Sequence, residues 1–203
     1  MRAIVAAVLA AAVPWPCTTA QADVVFADPA DPVFRALYPS IDPRTGITPV
    51  AEPAVAAGRA PARPGRDRCA PGFRIAEPRL AKWPAGGTAA SVALFQVTTD
   101  NPPGVAAPCY LPEPWLCVLE KNGDAWAPVD CAPVPRDVFP EEMSIDTAAF
   151  RLNDRETAVG ARVGGEAATR TSTWTDQALV LFRLHERRLS QVLALTVVRE
   201  ETD

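Results

Sequence analysis

Gln177-Ala178-Leu179-Val180-Leu181-Phe182-Arg183-Leu184 runs into His185-Glu186-Arg187-Arg188, and then into Leu189-Ser190-Gln191-Val192-Leu193-Ala194-Leu195-Thr196-Val197-Val198. Two apolar runs around one short polar break are the pattern of two strands joined by a turn. Paired across that break, Val180 is set opposite Leu193 and Ala178 opposite Leu195. Leu179 and Leu181 then lie against Val192 and Ala194 on the other side. A hairpin apolar on both faces is expected at the centre of a sheet structure. Leu189, Val192, Leu193 and Thr196 also fall at helical spacing, but the β-branched end of the run and the turn before it favour a strand.

The chain upstream repeats this grammar. Ala149–Leu152 and Thr157–Val163 form a second hairpin across Asn153-Asp154-Arg155-Glu156, with Leu152 expected opposite Thr157 and Phe150 opposite Val159. Thr157, Val159, Ala161 and Val163 alternate onto one face, and Glu156, Gly160 and Arg162 onto the other. One buried and one wet face is the antiparallel expectation. Further upstream, Leu116–Glu120 and Ala125–Val129 flank Asn122-Gly123, a pair suited to a two-residue I′ turn, which sets Leu119 opposite Trp126 and Lys121 opposite Asp124. Ser91–Val97 reads as a strand ended by Asn101-Pro102-Pro103-Gly104. Phe150-Arg151-Leu152-Asn153-Asp154-Arg155 is echoed by Phe182-Arg183-Leu184-His185-Glu186-Arg187, too few repeats to close a propeller. The expected fold is therefore mainly β, an antiparallel meander of hairpins forming a curled sheet or small sandwich.

Proline distribution marks the organisation, because proline removes a ladder donor. Residues 23–88 hold eleven prolines, residues 100–140 hold nine and residues 141–203 none, so regular pairing is freest at the C-terminal end. Residues 23–68 read as a Pro/Ala-rich irregular or linker segment with one or two helical turns at Pro32–Tyr38. Ordered structure is expected to begin near Cys69 or Phe73, within a β-rich domain over 69–203. Ahead of these, Arg2, the apolar run Ala3–Val13 and the small-x-small ending Ala20-Gln21-Ala22 have the three parts of a secretory signal, residues 1–22. An 11-residue apolar run is shorter than the roughly 20 residues that span a bilayer, so no membrane span is expected after cleavage.

Without Cys17 of that segment, Cys69, Cys109, Cys117 and Cys131 remain, an even set that in an exported chain points to two disulfides. Three connectivities are open; a short loop between Cys117 and Cys131, with Cys69 joined to Cys109, is preferred. There is no Cys-x-x-Cys, and the single histidine, His185, is remote in sequence, so no metal site and no cofactor is expected. A formal net charge of −4 argues against nucleic acid as a partner.

Phe150-Arg151-Leu152, then Glu156-Thr157-Ala158-Val159-Gly160 with Arg162, then Leu181-Phe182-Arg183-Leu184 resembles a pattern in uncharacterised exported proteins of Gram-negative bacteria, over about residues 90–198. The resemblance implies a periplasmic or secreted location and brings no activity with it.

Catalytic chemistry finds little support. One imidazole excludes any mechanism needing two, and His185 in a polar turn reads as a solvated loop residue. Ser40, Ser91, Ser144, Ser172 and Ser190 lie outside any Gly-x-Ser-x-Gly frame, and no residue is assigned a catalytic role. Glu141, Glu142, Asp146, Asp154, Glu156 and Asp176 supply carboxylates for a glycan hydrolase, which stays the alternative, beside a structural remnant without ligand. Gly164–Asp176 is longer than a hairpin needs and carries Arg170 and Trp174, residue types that anchor interfaces; Arg162, on the wet face, joins them as a binding candidate. The expected function is an exported envelope binding module for a protein or glycan, an inhibitor or accessory factor among its roles, of open oligomeric state.

Overall fold

The computed structural model describes residues 25–56, 72–83, 90–99, 113–135, 142–154, 156–168 and 173–202. Nine strands dominate them. β1 (Ile47–Thr48), β2 (Phe73–Lys82), β3 (Ala90–Thr99), β4 (Glu113–Asn122) and β5 (Ala125–Pro133) make a five-stranded antiparallel sheet A in sequence order, curled as a half-barrel. β6 (Glu142–Arg151), β7 (Thr157–Ala168), β8 (Thr173–His185) and β9 (Arg188–Thr202) make a four-stranded antiparallel sheet B, also in sequence order. The predicted meander of hairpins is thus observed.

The alternation read on β7 places the main core. Val159, Ala161 and Val163 pack with Val180 and Phe182 of β8 against Val92, Leu94, Leu116 and Val118 of sheet A. Asp130, a buried carboxylate on β5, accepts the backbone N–H of Leu189 at 2.6 Å and ties the edge of sheet A to β9. Cys117 and Cys131 face each other across β4 and β5 and are bonded.

The other face of sheet A is covered too. Residues 25–56 carry helix α1 (Pro32–Leu37), β1 and a single 3₁₀ turn at Ala54–Ala56. Asp31 caps α1 by accepting from the Val33 N–H at 2.8 Å, with Pro32 in the first turn, where its missing donor costs nothing. Val33, Phe34, Leu37 and Tyr38 are thereby buried against Phe95, Trp115 and Leu119, with Phe34 and Tyr38 edge-on to Phe95. This corrects the expectation that order begins near Cys69 or Phe73. The apolar residues of 25–56 are too sparse to form a core of their own, but sheet A supplies the partner surface.

Three registers differ from the reading, the first by two residues and the other two by one. Gly123-Asp124, not Asn122-Gly123, is the first loop: Asn122 pairs with Ala125 and Lys121 with Trp126. Gly123 takes φ +63° there, glycine first as in a II′ turn. Leu119 consequently meets Pro128, and an irregularity after Val118 restores Cys117 opposite Cys131. In the second hairpin Arg151 pairs with Thr157 and Phe150 with Ala158, because Leu152 N–H bonds Glu156 O and closes a longer loop. The third hairpin pairs Leu184 with Leu189 as read, through Glu186-Arg187, both at positive φ. Bulges then insert Val192 and Val197, so Leu181 meets Leu193, Leu179 meets Leu195 and Val180 meets Ala194. This hairpin is not the centre of the fold. β9 lies at the end of sheet B, and β3 and β4, covered on both faces, are the most buried strands.

Candidate functional site

Among the described residues, both faces of sheet A and the inner face of sheet B are covered, and the outer face of sheet B is not. Its pairings form rungs running from β6 to β9: Ser144–Arg162–Leu179–Leu195, then Asp146–Gly160–Leu181–Leu193, then Phe150–Ala158–Arg183–Ser190. Opposed residues share a face, so the β6–β7 side is polar and the β8–β9 side carries four leucines. Leu179 and Leu181 are buried among their neighbours, whereas Leu193 is 40% and Leu195 48% exposed.

Gly160 is what lets the polar and apolar halves meet. A Cβ there would lie 2.9 Å from Asp146 Cβ, 2.9 Å from Leu179 Cδ1 and 3.2 Å from the Phe150 ring. In the space so left, Asp146 reaches diagonally to Arg162, its Oδ2 accepting from Nε at 2.9 Å and Nη2 at 2.7 Å. The other oxygen, Oδ1, accepts the Ala148 N–H at 3.1 Å, so the carboxylate is fixed from both sides. Beside Arg162 opens a cavity of about 260 Å³ lined by Arg79, Glu142, Ser144, Arg162, Gly164 and Gln177.

A second polar group lies where the two hairpin turns of sheet B approach each other. The Glu156 carboxylate accepts from Asn153 Nδ2 at 2.8 Å, from His185 Nδ1 at 3.0 Å and from Arg183 Nη1 at 3.5 Å. The Asn153 hydrogen bond, followed by the Arg183 and His185 charges, holds Glu156 below the usual glutamate range. A carboxyl so depressed is ionised at neutral pH and does not donate a proton as a general acid must. Asp146 is likewise tied to an arginine, Arg162. His185 is more than half exposed in its turn, as its setting suggested.

The structure does not gather the sequence candidates into one site. Arg162 lines the cavity. Trp174 enters β8 opposite Ala167, five rungs along the ladder from Arg162, or about 17 Å at strand spacing. Arg170, Cys69 and Cys109 lie outside the described residues. Leu193, Leu195, Gly160 and Arg79 were not read as site residues, and Asp146 only as one of six carboxylates open to hydrolase chemistry. Alternation placed the leucines on a strand but gave no strand order, and Arg79 belongs to the other sheet. No group of metal-ligating side chains occurs among the described residues, and none of their helices is long and apolar enough to cross a membrane. Comparison with family models, curated proteins and solved structures finds no match to this chain.

Proposed function

We propose that this chain is an exported binding module whose partner is a protein of the cell envelope, engaged by the outer face of sheet B. One observation carries the reading: Leu193 and Leu195 are exposed beside buried Leu179 and Leu181, on the one sheet face that no described element covers. A contiguous apolar centre rimmed by charged pairs, here Arg162–Asp146 and Arg183–Glu156, is the anatomy of a protein interface. Glycan partners stack on aromatic rings, and among the described residues this face offers only Phe150, whose ring is turned onto Gly160. A disulfide between Cys117 and Cys131 suits an oxidising compartment, as does the secretory pattern of residues 1–22.

The test is capture from an envelope fraction by the wild-type chain and by a Leu193→Glu, Leu195→Glu variant. Both leucines are exposed, so the variant should keep its circular dichroism and thermal midpoint while losing the partner at least about tenfold, as for residues central to an interface. Equal capture by a folded variant would refute the reading. An Arg170→Ala, Trp174→Ala pair, assayed alongside, reports whether the surface extends to the far end of the ladder.

A further inference from the structure

We propose that the cavity beside Arg162 receives a carboxylate, the acidic side chain of the partner protein. This deepens the protein-binding reading and rests on it for the identity of the molecule that carries the acid. Two guanidinium groups stand in the cavity wall, Arg79 from sheet A and Arg162 from sheet B. The carboxylates that pair with them, Glu77 at 2.9 Å from Arg79 and Asp146 at 2.7 Å from Arg162, are not part of that wall. Each arginine is held by its own acid, and Arg79 also donates from Nη1 to Pro78 O at 3.3 Å. Arg162 commits Nε and Nη2 to Asp146 and keeps Nη1 for a ligand. Planar donors fixed in advance lose little freedom on binding, the property that suits arginine to carboxylate recognition.

The rest of the wall narrows the chemistry. Glu142 is its one acid, and Ser144 and Gln177 add neutral hydrogen-bonding groups. With the paired acids Glu77 and Asp146 counted beside Glu142, two cations face three anions, so the site suits a singly charged group held by directed hydrogen bonds and not a dianionic phosphate. The volume, about 260 Å³, falls below the roughly 300–1,000 Å³ of sites that enclose a free metabolite, yet it admits a single side chain with a few waters. Acid recognition by clustered arginines is a recurring mode of protein recognition. Here it lies on the same rung as two of the leucines, Ser144–Arg162–Leu179–Leu195.

The experiment is a titration of the full chain with N-acetylglutamate N-methylamide, followed by NMR at the Arg162 Nε–H, with the matching glutamine compound as control. A saturable shift with the glutamate probe alone is expected, with millimolar affinity, and it should weaken several-fold as salt is raised. Arg162→Gln should abolish it and Arg79→Gln weaken it several-fold. Gly164→Val fills the cavity without changing charge. A Cβ at Gly164 meets Asp176 O at 3.5 Å, Gln177 Cγ at 3.8 Å and Gln177 Cβ at 3.9 Å, all ordinary contacts, and the variant, its fold checked by circular dichroism, should also lose the shift. No saturable response, or an equal response to the glutamine probe, overturns the proposal. So does undiminished partner capture by folded Gly164→Val protein, an outcome that leaves the leucine interface standing. A positive titration together with undiminished capture by the Leu193/Leu195 variant would instead retain the cavity and discard that interface.

Discussion

Asp130→Ala should be the most damaging single polar substitution in this fold. Asp130 is 2% exposed, and its Oδ2 accepts the Leu189 N–H at 2.6 Å, across the junction of the two sheets. A hydrogen bond to an ionised group contributes about 1.5–3 kcal/mol, and its loss strands a buried donor at an overlapping cost of about 1–3 kcal/mol. The expected destabilisation is about 2–4 kcal/mol. With a urea slope of about 2 kcal/mol/M, the unfolding midpoint should fall by about 1–2 M. Asp130→Asn retains an acceptor of the same shape and should lose only the charge assistance, about 1 kcal/mol. The local reporter is amide hydrogen exchange at Leu189, slow in the wild type and accelerated well beyond the global change in the alanine variant. A second inter-sheet link, Arg187 Nη1 to Glu120 Oε2 at 2.9 Å, is exposed, and Arg187→Ala should cost under about 1 kcal/mol. The reasoning fails if Asp130→Ala costs no more than Arg187→Ala while Leu189 exchanges as slowly as before.

Replacing Cys117 and Cys131 together by alanine opens a loop of sequence separation 14, and calorimetry should register a loss of about 3 kcal/mol; an unchanged thermal midpoint would show that the hairpin alone restrains the unfolded chain. Gly160→Ala must displace Asp146, Leu179 or the Phe150 ring, and a net loss of about 1–2 kcal/mol by urea unfolding is expected once the entropic gain from losing a glycine is offset. Glu156, held below its ordinary range chiefly by Asn153, favours the folded state above the unfolded glutamate pKa, and that contribution disappears as pH falls through the lower folded value. Glu156→Gln should therefore flatten the acid limb of the stability curve, and an identical limb in both proteins would contradict the assignment.

What the chain disclosed in advance was whatever depends on neighbours close in sequence. Val159, Ala161 and Val163 alternate as read, because a strand with one buried face must do so. Gly123 marked a hairpin but not its register: either of two loops fits Asn122-Gly123-Asp124, and with the one formed it is the irregularity after Val118 that brings Cys117 opposite Cys131. The bulges at Val192 and Val197 were equally hidden, since nothing in Val192-Leu193-Ala194-Leu195 distinguishes a straight run from one with an inserted residue. Leu193 and Leu195 misled for a further reason. An apolar residue at a solvent face and one at a core face look alike until strand order is known, and order in a sheet is a long-range property. The candidate site suffered the same limit, because Arg79 and Arg162 meet only through the stacking of two sheets.

Strand β9 also bears on whether the exposed leucines are a hazard or a function. A long edge strand with apolar side chains invites pairing with another chain, and proteins counter this by bulging the edge or blocking its donors. Both devices are present: Val192 and Val197 are inserted on either side of Leu193–Thr196, and Asp130 occupies the Leu189 N–H. These protect the edge, where unpaired backbone groups would recruit a foreign strand. They do nothing to cover the face, where Leu193 and Leu195 remain open beside Leu179 and Leu181. The strand edge is thus blocked against strand addition, while the described residues leave the adjoining apolar face uncovered. It is this asymmetry within one strand, more than the hydrophobicity of the face, that supports reading the outer side of sheet B as a surface for a partner.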